Sequence, residues 1–172
     1  MKYNYNLKFV VKKSLDNNIL DILEKMGANV TVFDDYVFLR SDGKLKGIDV
    51  SLANAPDLLL TVAVLGAVAE GKTTISGVSH GRLKETDRID TTCRELEKLG
   101  CKLEEFEDGM TIYGQTIGDG IVESHNDHRL AMAFSLLGLK HDVEVENGEC
   151  FDVSFPNFIE LMSEIGIELE LN

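Results

Sequence analysis

Three short stretches gather side chains that can move protons and hold anions. HGRLKETDR (80–88) carries His80, Arg82, Lys84, Glu85, Asp87 and Arg88. SHNDHRLAMA (124–133) carries His125, Asp127, His128 and Arg129. In ANAPDLLL (53–60), Asp57 stands in the first turn of an apolar helical run, with no basic residue beside it. A carboxylate there complements the helix dipole, and it could equally take a proton from a hydroxyl. Lys84 and Arg88 can lie close together with Glu85 between them, which suits either a salt-bridged, solvated helix start or an anion site. Arg129 is harder to explain structurally, because a cation in the first turn of a helix is unfavourable unless an anion is present. Thr86 is the expected N-cap of the helix after 80–88, and Ser124 or Asn126 that of the helix after 124–127. The H-x-x-H of His125 and His128 supplies too few converging ligands for a metal ion.

A fourth stretch, GAVAEGKT (66–73), fits the phosphate-loop pattern G-x-x-x-x-G-K-[ST] letter for letter. That loop works only when a strand precedes it and a helix follows, so that helix N–H groups meet the phosphate. Here the order is reversed. PDLLLTVAVLGAVAEG opens with Pro56, suited to a first helical turn, and KTTISGV is β-branched and alternating like a strand. Gly71 reads as the residue that ends the helix in the left-handed conformation. A phosphate would meet the negative end of that helix, so the nucleotide-binding reading is set aside.

The elements that must position these residues form a repeat. LEKMGANVTVFDDYVFL (23–39) resembles LEKLGCKLEEFEDGMTI (96–112), and GIDVSLANAPDLLLTVAV (47–64) parallels GIVESHNDHRLAMAFSL (120–136). The unit is helix, strand, strand, strand, helix, strand, occurring at about 14–78 and 86–147; 156–171 repeats only the helix, the glycine and a strand. Short connections between alternating helices and strands predict an α/β (α+β) fold with helices packed against sheets. No Pro/Gly/Ser-rich linker separates the copies, so residues 1–172 are read as one lobe.

Composition narrows the function classes. The 172 residues carry a formal charge of −13, which argues against nucleic acid as a partner. A small anion remains possible, since screening beyond about 10 Å mutes distant charges. The longest apolar run, LLLTVAVLGAVA (58–69), is too short to cross a bilayer and reads as a buried helix. The first thirteen residues lack the apolar core and cleavage site of a signal peptide. Cys93, Cys101 and Cys150, odd in number and without metal-type spacing, fit buried thiols in a reducing, cytoplasmic setting.

Together APD (55–57), RLKETDRI (82–89), EDGMTI (107–112), NDHRLAMA (126–133) and VSFPNF (153–158) resemble the enolpyruvyl transferase family, and within it the shikimate-pathway branch, in order and spacing. The resemblance covers essentially the whole chain, and the pairing of LKETDRI with NDHR is specific. It implies two lobes of β-α-β-α-β-β units with substrates held in the cleft between them. It implies transfer of the enolpyruvyl group of phosphoenolpyruvate to the 5-hydroxyl of shikimate 3-phosphate, without metal or organic cofactor. Carried over by position, Asp57 is the proton acceptor that touches the shikimate hydroxyls, and Glu85 the acid that protonates the methylene carbon. Lys84 contacts the substrates, and Arg88 and Arg129 bind phosphoenolpyruvate. His80 stands where many relatives have an asparagine that contacts phosphoshikimate, and Val153 where some have a lysine for phosphoenolpyruvate. Full members are more than twice as long, so this chain is expected to be part of one lobe, to need the missing N-terminal lobe in cis or in trans, and to turn over negligibly alone.

Other classes remain in view. Enolpyruvyl transfer to a UDP-amino sugar shares the fold, but KETDR with NDHR is not expected there. An RNA-phosphate cyclase would need a basic face. A non-catalytic docking module, or one half of a split enzyme, differs from these in working by association alone; the intact Asp57, Lys84, Glu85, Arg88 and Arg129 favour a working site.

Overall fold

The glycine stops are the clearest physical mark of the repeat. Helices α1 (Asn17–Lys25), α3 (Arg88–Lys98) and α5 (Phe158–Glu164) each run into a left-handed glycine: Gly27 at φ 103°, Gly100 at 83° and Gly166 at 86°. The next residue then reaches back five positions, Ala28 to Leu23, Cys101 to Leu96 and Ile167 to Met162, with N–H···O distances of 2.9, 3.0 and 2.9 Å. This is the Schellman closure, which satisfies orphan carbonyls and needs a backbone that only glycine adopts without strain.

The computed structural model describes residues 5–10 and 17–170. The start expected for the first repeat at residue 14, and residue 171 of the last expected strand, lie outside them. Strand β1 (Tyr5–Val10) precedes α1, which is followed by β2 (Asn29–Val32), β3 (Tyr36–Ser41), β4 (Asp49–Ser51), α2 (Leu59–Val68) and β5 (Lys72–Ser76). The same order returns as α3, β6 (Lys102–Phe106), β7 (Gly109–Tyr113), β8 (Gly120–Glu123), α4 (His128–Ser135) and β9 (Val143–Glu146), before α5. Residues 167–170 form no strand, contrary to expectation.

Three sheets follow one plan at different stages of completion. The middle sheet has the order β4-β5-β7-β6, with β4 parallel to β5 and the other pairs antiparallel. The first, β1-β3-β2, repeats its antiparallel part, and the last, β8-β9, repeats only its parallel pair. Among the described residues the edge of β9 therefore stays open where β7 covers β5. Beside it a cavity of about 500 Å³ is lined by Val143, Val145, Phe151, Phe158, Ile167 and Leu169 among others.

Helix α2 is apolar all round, as a helix enclosed by others must be. Leu59, Leu60, Val62, Ala63, Val64 and Ala67 are buried, and the helix packs on α3, α4, β5 and β7. The phosphate-loop letters are explained by this packing. Gly66 on α2 lets Thr73 of β5 approach, since a Cβ at Gly66 would sit 3.0 Å from that of Thr73. Thr73 is fully buried and Lys72 opens a strand, so neither faces a helix N-terminus. Gly71 is left-handed at φ 89°, but it does not end the helix. Helix α2 stops at Val68, and Gly71 instead turns the chain into β5 two residues beyond the extended cap Ala69.

A candidate anion-binding active site

Packing of α3 and α4 against α2 brings three helix starts together. Asp57 lies in the 3-10 turn Pro56–Leu58 that leads into α2, with Pro56 at its first position. Another 3-10 turn, Ser79–Leu83, follows β5 and passes through extended Lys84 to α3. Asp87 caps α3, accepting from the N–H groups of Ile89 and Asp90 at 3.1 Å each. Asp127 caps α4, accepting from Arg129 N–H at 3.0 Å and Leu130 N–H at 3.4 Å. The capping residues thus differ from those expected. Thr86 Oγ1 is buried without a partner among the described residues, and Ser124 Oγ instead accepts from Asn126 N–H and donates to the Asn147 carbonyl. Aspartate wins both caps because its two charged oxygens serve the helix N–H groups and a cation at once.

Arg88 is the hub. Its side chain is 3% exposed and that of Asp127 is fully buried. Nε donates to Asp127 Oδ2 at 2.6 Å and Nη2 to Oδ1 at 3.2 Å, a forked pair that compensates two desolvated charges. Nη2 also meets Glu85 Oε2 at 2.8 Å, while Nη1 reaches only to 3.5 Å from Asp57 Oδ1. Around Asp57 stand two further cations, Lys84 Nζ at 3.6 Å and Arg129 Nη2 at 3.4 Å. Contacts of 3.4–3.6 Å are too long for strong hydrogen bonds, so the N–H groups of Lys84, Arg129 and Arg88 Nη1 keep capacity for an incoming anion. Asp57, Lys84, Glu85 and Arg129 are each between 38% and 48% exposed, which opens the cluster to solvent on one side.

The structure therefore brings together Asp57, Lys84, Glu85, Arg88 and Arg129. His80 is exposed in its 3-10 turn and makes no hydrogen bond or ion pair with another described residue. Arg82 is fully engaged: it donates to Asp87 and Glu105 carboxylates at 2.9 and 2.7 Å, and to the Glu107 and Phe106 carbonyls at 2.9 Å each. The carboxylates of Glu105 and Asp87 push its pKa up, and the whole set ties 82–87 to the β6–β7 turn. Val153 is 85% exposed. Asp127 was missed by sequence reasoning as a partner of Arg88. Its signal was present, an Asp just before each of two helices with an arginine in the first turn, but pairing across 39 residues is visible only in the fold. Among the described residues no three His, Cys, Asp or Glu side chains converge as a metal ion requires. Cys93 and Cys101 are buried thiols and Cys150 is half-buried; desolvation pushes Cys93 up to about 12.

Comparison with known proteins decides the relationship. Residues 6–162 match the family described as EPSP synthase (3-phosphoshikimate 1-carboxyvinyltransferase). The chain belongs to the EPSP synthase family. The 3-phosphoshikimate 1-carboxyvinyltransferase of Methanobrevibacter smithii is 69% identical over 95% of this chain and 37% of its own length. That of Methanothermobacter thermautotrophicus is 52% identical over 91% of this chain and 37% of its own length. The chain thus spans well under half the length of these EPSP synthase relatives. An EPSP synthase structure from Acinetobacter baumannii superposes with a TM-score of 0.86 at 29% identity, covering 97% of this chain and 43% of the other. An enolpyruvyl transferase from Streptomyces tendae, 21% identical, shares the fold with a TM-score of 0.69 over 94% of this chain and 39% of its own. The α/β fold expected from the sequence is the fold of EPSP synthases. No helix among the described residues is long and apolar enough to cross a membrane.

Proposed function

We propose that this chain supplies one wall of an EPSP synthase active site, as a single lobe of two tandem units that closes on the rest of the polypeptide. The reaction moves the enolpyruvyl group of phosphoenolpyruvate to the 5-hydroxyl of shikimate 3-phosphate. Arg129, Lys84 and the free edge of Arg88 hold the phosphate and carboxylate of phosphoenolpyruvate, for which forked guanidiniums are well shaped. Asp57 accepts the proton of the attacking hydroxyl. Glu85 gives its proton to the methylene carbon, leaving an electron-poor centre that the hydroxyl oxygen attacks. The new methyl group of the tetrahedral intermediate then returns a proton to the Glu85 carboxylate as the C–O bond to phosphate breaks, which restores the methylene double bond. Asp57 passes the hydroxyl proton to the departing phosphate. His80, exposed in the 3-10 turn that leads to Lys84, is assigned to the phosphoshikimate side. The observation that carries this reading is the convergence of three cations on one half-exposed carboxylate. Three free thiols support a reducing, cytoplasmic setting.

Clamping two anions between walls needs both walls. The expected result is negligible phosphate release by the purified 172-residue chain, and release restored by co-expression with the portion of the Methanobrevibacter smithii relative that this chain does not match. Turnover at an ordinary enzymatic rate by the chain alone would overturn the one-wall reading. A reconstituted pair that releases phosphate equally well with Arg129→Ala would overturn the site.

A further inference from the structure

Helix α3 grips the turn between β8 and α4 at two points. At its start Arg88 holds Asp127; two helical turns later Glu95 holds the other end. Seven residues apart, the two side chains project from the same side of the helix. The Glu95 carboxylate is 1% exposed. Its Oε2 accepts from the Glu123 N–H at 3.0 Å and from Lys98 Nζ at 2.8 Å, and its Oε1 lies 2.7 Å from His125 Nε2. Burial pushes the Glu95 carboxyl up, but the hydrogen bonds from His125, Lys98 and the Glu123 N–H outweigh it and hold the group below its ordinary value. Between the two grips lie His125 and Asn126, at φ 51° and 58°. Consecutive left-handed residues other than glycine are strained and persist only where their surroundings over-determine them. The turn they make delivers Asp127, and through it Arg88 and the first turn of α4 that bears Arg129.

We propose that Glu95 is a positioning residue of the anion site, which by holding Glu123 and His125 keeps the left-handed turn in the shape that sets Asp127 and Arg129. The proposal rests on the reading of Arg129 as an anion ligand. A carboxylate only accepts, so His125 must carry a proton on Nε2.

The test compares the 172-residue chain with its Glu95→Gln and His125→Leu variants by amide hydrogen exchange and histidine ring ¹⁵N shifts. Each chain, reconstituted with the unmatched portion of the Methanobrevibacter smithii relative, is also titrated with phosphoenolpyruvate. In the unsubstituted chain His125 shows Nε2 protonated. In both variants exchange rises about ten- to a hundredfold for amides 123–130, the loss of a charged hydrogen bond, while β5 and β7 are unchanged, and affinity for phosphoenolpyruvate falls about tenfold or more. His125→Gln, which keeps a donor toward Glu95, restores most of both. If Glu95→Gln does not fold, His125→Leu, a change at a side chain only three-quarters buried, decides alone. Exchange that rises equally across all elements, or that stays unchanged at 123–130, overturns the proposal. Selective opening of the turn with no loss of phosphoenolpyruvate affinity in the reconstituted pair upholds the hold on the turn and sinks the reading of Arg129 instead.

Discussion

Helices α3 and α4 begin alike, with an aspartate cap followed at once or one residue later by an arginine, yet the two arginines live in different worlds. Arg88 is buried, and Asp127 and Glu85 occupy most of its donors. Arg129 is 43% exposed, with one long contact to Asp57. The first is a pin that holds two helix starts together; the second is a hand left open. The caps differ in the same way, since Asp87 serves partly exposed Arg82 while Asp127 serves a buried charge. Residue type and position in the helix therefore do not tell which cation is free for a ligand. Burial and the count of satisfied donors do.

The contrast can be broken by substitution, with the largest effect at the buried end. Asp127→Ala takes from Arg88 its one fully buried partner, leaving only half-exposed Glu85 at hydrogen-bond distance. It is expected to cost about 3–5 kcal/mol of unfolding free energy by urea titration. Asp87→Ala, which removes a cap and an exposed pair, is expected to cost about 1 kcal/mol. Equal losses would show that the two caps are not distinguished by burial. A smaller effect follows from Glu95, whose folded pKa lies below its ordinary value. Its stabilisation is present above the unfolded pKa and is lost as pH falls through the folded one. Unfolding midpoints of Glu95→Gln should therefore fall less steeply with acidification than those of the parent. Smallest of all, Arg129→Ala should leave stability within about 0.5 kcal/mol of the parent, as for a surface side chain. A large loss there would make Arg129 a second pin.

Much of the architecture was legible because it repeats. Gly27 and Gly100 follow the same helix ending and close it with the same bonds, so a local pattern compared with itself exposed the units. The phosphate-loop letters were correctly set aside because Leu-Ala-Val content before Gly71 and β-branching after it declare a helix and then a strand. Three things stayed hidden. The caps moved from Thr86, and from Ser124 or Asn126, to Asp87 and Asp127, because each aspartate had an arginine to serve as well, Arg82 five residues away and Arg88 thirty-nine away. Residues 167–170 alternate like a strand yet form no ladder with the open edge of β9 across the cavity they share, and a strand exists only through its paired neighbours. Asp57, Glu85, Arg88, Asp127 and Arg129 stood out in the sequence by type. The pairing of Asp127 with Arg88 and the hold of Glu95 on Glu123 and His125 did not, since these depend on partners about 30 to 40 positions away.

The bare edge of β9 carries a consequence for handling the protein. An uncovered strand offers its backbone groups to any other strand, including that of a neighbouring copy. Outward along this one stand Glu144 and Glu146, both exposed, so two copies approaching edge to edge bring like charges together. That guard is electrostatic, and concentrated salt weakens it. Solutions of the chain are thus best kept dilute in electrolyte, where mutual repulsion keeps the molecules apart.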